Sequence, residues 1–301
     1  TPVSTFSLLE TRADISRRSA TTLGQPYGPL ADALRSRRTL LEGSSVGSYL
    51  CVERAFGYRR GFAAKDYALV LDCLENAVKR DPGYPDAWAM LGWLYLDDGR
   101  FGFTGEDPSV LYARAAEAAE RALDIDHDNM NALKALASIR HYTGDYAESQ
   151  ALARRAVQLN PHDPDMLAQL GWRLAIRGNF EEGIPFLNEA IERSMDPPGW
   201  YYHLLIMQAC LDGDFANMER LAEVSVKDGS QLSYTLLMVA RDALEKKESA
   251  ASAALQVSAD SLPRRDPKAF FQRHGATDEI ASRMETYINE AFASLEARAV
   301  R

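Results

Sequence analysis

The strongest constraint on the fold is a unit that repeats. Residues 161–186 open with Pro161-His162-Asp163-Pro164-Asp165-Met166-Leu167-Ala168-Gln169-Leu170-Gly171-Trp172 and continue through Gly178-Asn179-Phe180-Glu181-Glu182-Gly183 to Phe186. A proline-marked turn leads into a helix with a small residue midway, a short turn at Gly178 follows, and a second helix brings the chain back. The unit recurs on both sides with a period of about 34 residues. One helix–turn–helix cannot bury its apolar face alone, so successive units must stack.

Taken in order, the chain divides into an N-terminal helical segment (1–46), a repeat region (47–264) and C-terminal capping helices (265–301). The first repeat opens near Cys51 with a helix over about Ser48 to Phe62, turns at Lys65-Asp66-Tyr67, and closes at Asp81-Pro82. In the second, Trp88 and Tyr95 are placed to wedge between helices, and Gly92 allows a close approach. Its helices are separated by an apparent insertion of roughly ten residues, 97–108, where a tight turn would suffice. The third repeat (Met130 to Asp163) turns at Gly144-Asp145-Tyr146, and the fifth, from Gly199, at Gly213-Asp214-Phe215. In the sixth, Glu245-Lys246-Lys247 replaces that turn. Beyond Pro263 the periodicity predicts a short helix stopped by Gly275. A final helix follows, with the apolar stripe Ile280, Met284, Tyr287, Ile288, Ala291 and Leu295, read as a cap on the open end of the stack.

Trp88-x-x-Leu91-Gly92-x-x-Tyr95 resembles the signature of the tetratricopeptide repeat. The resemblance implies an all-α, right-handed superhelix (an α-solenoid) of about six helix pairs with extra helices at both ends. Other stretches are similar to a narrower group. Phe6 to Arg18, Tyr49-Leu50-Cys51-Val52-Glu53-Arg54, Asp97 to Phe103, and Asp266 to Gly275 resemble the C-terminal repeat region of bacterial class III adenylate/guanylate cyclases and related winged-helix regulators. That likeness implies an interaction or sensor module of a bacterial signalling protein. No cyclase catalytic domain and no DNA-binding domain lies within the 301 residues, so no catalytic residue carries over.

The charge is −9, from 34 basic and 43 acidic residues, which argues against nonspecific nucleic-acid binding by this segment. No apolar run approaches the roughly 20 residues needed to cross a bilayer. The start at Thr1 suggests an excised or processed piece, and the expected location is cytoplasmic, or periplasmic if a transmembrane helix lies upstream. Cys51, Cys73 and Cys210 form an odd, sparse set without a Cys-x-x-Cys; the reading is three free thiols inside helices, with no disulfide framework and no zinc site.

Chemistry is not signalled. Asp124-Ile125-Asp126-His127-Asp128-Asn129 resembles the opening of a calcium loop, but Asn129 and Ala135 occupy the positions that need Gly and Glu. Gly99, Gly102 and Gly105 follow no strand and lack the Gly-Lys-Ser/Thr of a phosphate loop. His127, His141, His162, His203 and His274 fall at no metal-ligating spacing. The expectation is therefore no enzyme, no metal and no cofactor.

What remains is a surface. By repeat register, Arg59, Trp93, Lys134, Ser138, His141, Tyr142, Trp172, His203 and Met207 belong to the concave face formed by the first helix of each repeat. Large aromatics there suit a peptide or protein partner, or alternatively pack between adjacent helices. Arg100, Phe101 and Phe103 of the insertion are expected to form a ridge at the groove's edge. The competing readings are an enzyme sited at the insertion or groove and a free-standing assembly scaffold; homo-oligomerisation is compatible with any of them.

Overall fold

The computed structural model describes residues 45–299 and, before them, residues 15, 16, 19, 25, 28–30 and 33. Apart from those few positions, the helices expected before residue 45 lie outside the described residues. The described regular structure is entirely helical. The α-helices are α1 (Ser45–Arg59), α2 (Ala64–Arg80), α3 (Pro85–Phe101), α4 (Pro108–Ile125), α5 (Met130–Tyr142), α6 (Tyr146–Leu159), α7 (Pro164–Ile176), α8 (Phe180–Arg193), α9 (His203–Leu211), α10 (Phe215–Ser225), α11 (Gln231–Ala243), α12 (Lys247–Ala254), α13 (Leu262–Arg265), α14 (Pro267–Arg273) and α15 (Asp278–Ala299). From α1 to α12 they form six hairpin pairs.

Starts and stops follow local chemistry. Pro85 and Pro108 occupy first-turn positions, where a missing N–H costs nothing. Asp163 accepts from the amides of Asp165 and Met166 (2.8 and 3.2 Å), and Asp214 from that of Asn217 (3.1 Å), each capping the helix that follows. Close packing within a pair depends on absent side chains. A Cβ on Gly171 would lie 2.6 Å from the Gly183 carbonyl oxygen, and one on Gly183 would lie 2.6 Å from that of Gly171, so α7 and α8 touch through backbone.

The chain forms two compact units. The first comprises the described residues up to Arg140, with Tyr146–Leu170 and Asn188–Pro197. Its core is shared between successive pairs. Ala89, Ala122 and Ala132 pack beneath Trp88 and Leu123, whereas Leu133, Ala156 and Met166 pack with Leu152 and Val157. Trp88 covers the small-residue cluster and donates its indole N–H to the Pro82 carbonyl at 3.0 Å.

The second unit comprises His141–Asp145, Gly171–Leu187 and Pro198–Arg301. Here α15 lies lengthwise along the turns of three successive pairs. Ile280 lies beside Gly178 of the α7–α8 turn, Tyr287 meets Phe215 where α10 begins (5.9 Å between rings), and Ser294 donates to Asp242 at the end of α11 (2.9 Å). Between the first two, Arg283 donates to the Leu211 carbonyl at 2.6 Å. Positions 280, 287 and 294 are separated by a rise of about 10 Å, the ordinary spacing of packed helices. Its apolar stripe is therefore continuous because it serves three turns, where the sequence suggested cover for one open end.

Two further expectations are corrected. Cys51 and Cys73 are not free: they form a disulfide between α1 and α2, with Cα atoms 5.5 Å apart. Lying 22 residues apart, they become neighbours only once the hairpin closes, which no Cys spacing rule reports. Nor is 97–108 a loop throughout. α3 continues to Phe101, because Gly99 is a packing glycine: a Cβ there would meet the Tyr112 ring at 2.3 Å. Only 102–107 is irregular, and Gly102 (φ 72°) ends the helix with its N–H on the Asp98 carbonyl.

Candidate interaction surface

The side chains assigned by register to the concave face are mostly covered. Arg59, Trp93, Lys134, Ser138, His141, His203 and Met207 are buried, while Tyr142 and Trp172 are half-buried. Their contacts differ between the two units.

In the first unit the face is a charged and aromatic stripe. The Arg59 guanidinium lies 3.4 Å from the centroid of Trp93 and donates to Asp97 at 3.3 Å. Asp97 also takes a 3.0 Å bond from Arg100. Burial pushes the Asp97 carboxyl above the usual carboxylate range, and the two guanidiniums oppose that shift. One turn away, Lys134 of α5 pairs with Asp165 of α7 at 2.6 Å, and its ammonium lies 5.7 Å from the Phe56 ring of α1. Asp163, beside them, is likewise raised by burial, against the opposing pull of Lys134. Isolated charges do not survive burial, so this lateral pairing is what lets the stripe exist.

Sequence reasoning missed Asp165, and it placed Asp97, with Asp98 and Glu106, only as an acid tying down the ends of the insertion. Asp97 was assigned to a loop, yet it lies four residues after Trp93, the spacing that places two side chains on one helix face. Asp165 pairs across repeats, which the pattern within one repeat does not reveal.

Arg100, Phe101 and Phe103 form a packed corner. Phe101 packs at a tilt against Phe62 and Phe103 (5.5 Å each between ring centroids), Phe103 against Tyr67 (4.8 Å), and Arg100 covers Phe101 at 4.7 Å. Asp98 accepts from Tyr67 and from both the amide and hydroxyl of Thr104, fixing the turn from within.

In the second unit the same kind of face holds a peptide segment. His141 Nε2 lies 2.9 Å from the His274 carbonyl oxygen, and Arg177 donates to the next carbonyl, that of Gly275, at 2.9 Å. Tyr142 and Trp172 stand edge-on to the His274 ring at 5.9 and 6.4 Å. Gly275 (φ 85°) is required there, since a Cβ would come within 2.3 Å of His141 Nε2. His203 and Met207 are core residues: the His203 ring meets the Ser233 hydroxyl at 2.9 Å, and burial pushes its pKa down to about 4.

Two family models, both described as tetratricopeptide repeat, match residues 73–102 and 132–163. The chain contains tetratricopeptide repeats. Repeats of this kind are protein–protein interaction modules. It is 26% identical over 177 residues to the transcriptional regulator HilA of Salmonella typhimurium, a match covering 56% of this chain and 31% of that protein. A TPR repeat-containing protein of Pseudomonas aeruginosa is 28% identical over 145 residues, covering 44% of this chain and 24% of the relative. The chain thus spans a third or less of the length of these curated relatives. Among solved structures, the APC/C hetero-tetramer Cut9–Hcn1 aligns with a TM-score of 0.57 at 12% identity, over 86% of this chain and 48% of that one. A human IFIT1 dimer with m7Gppp-AAAA aligns at 0.50 and 17%, over 88% and 63%. These likenesses establish the fold alone. Among the described residues no three or more His, Cys, Asp or Glu side chains form a group that could hold a metal, and no helix is long and apolar enough to cross a membrane.

Proposed function

We propose that this chain is a non-catalytic interaction and sensor module of a bacterial signalling protein, and that its first-helix face takes a segment of a peptide or protein partner. The observation that carries this reading is the pair of bonds from His141 and Arg177 to consecutive main-chain carbonyls. Side-chain donors aimed at backbone accept any sequence, while the flanking Tyr142 and Trp172 rings supply selectivity. In this reading residues 270–276 occupy the place of a partner segment in cis. The partial match to a transcriptional regulator supports a regulatory parent protein.

The test is affinity capture from extract of the source organism, comparing the full chain with Trp172→Ala and with Gly275→Val, which drives residue 275 away from His141. Partners identified by mass spectrometry should be lost with Trp172→Ala and enriched with Gly275→Val, with helicity retained in both. A captured set unchanged by either substitution would remove the face from the function.

A further inference from the structure

The Cys51–Cys73 disulfide joins two sulfurs in unequal surroundings. Cys51 is 3% exposed, on the inward side of α1. Cys73 is only half-buried on α2, and the Arg54 guanidinium approaches its Sγ at 3.6 Å. A positive charge beside a sulfur favours the thiolate, the form that attacks disulfides, and access decides which sulfur is reached first.

We propose that Cys51 and Cys73 form a redox clip on the first repeat, with Cys73 as the entry thiol, Cys51 as the resolving thiol and a low-molecular-weight disulfide such as glutathione disulfide as the oxidant. The Cys73 thiolate attacks one sulfur of glutathione disulfide; a Cys73–glutathione bond forms as the original S–S bond breaks, and one glutathione thiolate leaves. Cys51, having given its proton to solvent, attacks Cys73 Sγ, closes the protein disulfide and expels the second glutathione thiolate. Two protein thiols are oxidised, and one glutathione disulfide is reduced to two glutathione molecules, which take their protons from solvent. The clip fastens α1, the helix that carries Phe56 and Arg59 onto the stripe, to its partner α2. The proposal stands apart from the identity of any protein partner.

Cys210 provides an internal control. It is buried, and burial pushes its thiol up to about 12, so it stays protonated in the folded chain. The experiment treats the reduced full chain with glutathione disulfide under native conditions, then alkylates in denaturant and maps the products by mass spectrometry. The wild type should lose two alkylatable thiols, keep Cys210 and retain no glutathione. Cys51→Ala should hold one glutathione, on Cys73, and Cys73→Ala should take up none; Arg54→Gln in the Cys51→Ala background should slow adduct formation several-fold. Circular dichroism confirms that each variant is folded. A wild type that keeps all three thiols, or a folded Cys73→Ala that is modified at Cys51 as fast as Cys51→Ala is at Cys73, would overturn the proposal.

Discussion

The two units solve one problem in different ways. Both place polar and aromatic side chains on the face formed by the first helices of the pairs. In the first unit these groups satisfy one another laterally, through Arg59–Asp97–Arg100 and Lys134–Asp165. In the second they are satisfied by main chain, through His141 and Arg177 on the carbonyls of residues 274 and 275. Side-chain pairs are specific to their partners, whereas carbonyls are common to every peptide. The second arrangement can therefore be exchanged for another segment without leaving a buried charge alone, and the first cannot. The regulated part of the surface is thus expected where backbone does the binding.

The sharpest way to break this comparison is to orphan a charge in the first unit. Asp97→Ala leaves Arg59 buried against Trp93 without its carboxylate, and removing one partner of a buried pair costs about 3–5 kcal/mol. The matched control, Lys134→Met with Asp165→Leu and Asp163→Asn, removes all three neighbouring charges at once, keeps a cap acceptor at residue 163, and should be neutral or stabilising. Urea unfolding monitored by circular dichroism distinguishes the two. An Asp97→Ala variant as stable as the wild type would mean that the stripe is open to water and not closed on itself.

The second unit responds to pH through its core. His203 is held neutral down to about pH 4, against an ordinary value of 6.5. The unfolded chain binds a proton there below about pH 6.5 and the folded chain does not, so stability is full above 6.5 and falls as pH drops toward 4. The difference amounts to about 3 kcal/mol. Comparing unfolding free energies of the wild type and His203→Gln at pH 7.5 and 4.5 isolates this contribution from that of the carboxylates. A wild type and variant that lose stability in parallel would place the His203 ring in contact with water.

The pairing of helices was legible because it rests on local chemistry repeated along the chain: prolines opening helices, small residues such as Gly171 where backbones touch, and a turn near Gly178. The features that were not legible are those created by the stack itself. The Cys51–Cys73 bond and the Lys134–Asp165 pair join residues 22 and 31 positions apart, which become neighbours only after hairpins close and align. The register did place Trp93 and Lys134 on one face, but burial depends on what lies opposite, and a single repeat does not encode that. Gly99 illustrates the same limit in the other direction. Glycine in an acidic, glycine-rich run reads as a turn, and only the Tyr112 ring pressed against it shows that the helix continues.

The smallest effect is expected at the α3–α4 corner, where the comparison can be refined. Phe101 is 37% exposed, and its contacts are ring–ring and ring–guanidinium, with Phe62, Phe103 and Arg100. Truncating a partly exposed aromatic in such a cluster should cost about 1 kcal/mol. Amide exchange provides the finer measurement. The Thr104 N–H is held by the Asp98 carboxylate at 2.9 Å, so it should exchange slowly beside faster neighbours at Gly105 and Asp107. Asp98→Ala should remove that protection and leave the rest of α3 protected, whereas Phe101→Ala should leave Thr104 protected, because the turn is tied by hydrogen bonds and only covered by rings. Uniformly fast exchange from Gly102 to Asp107 in the wild type would show that Asp98 does not hold the turn. The corner would then be a mobile edge, not a rigid one, and the lateral pairing that distinguishes the first unit would stop at Asp97.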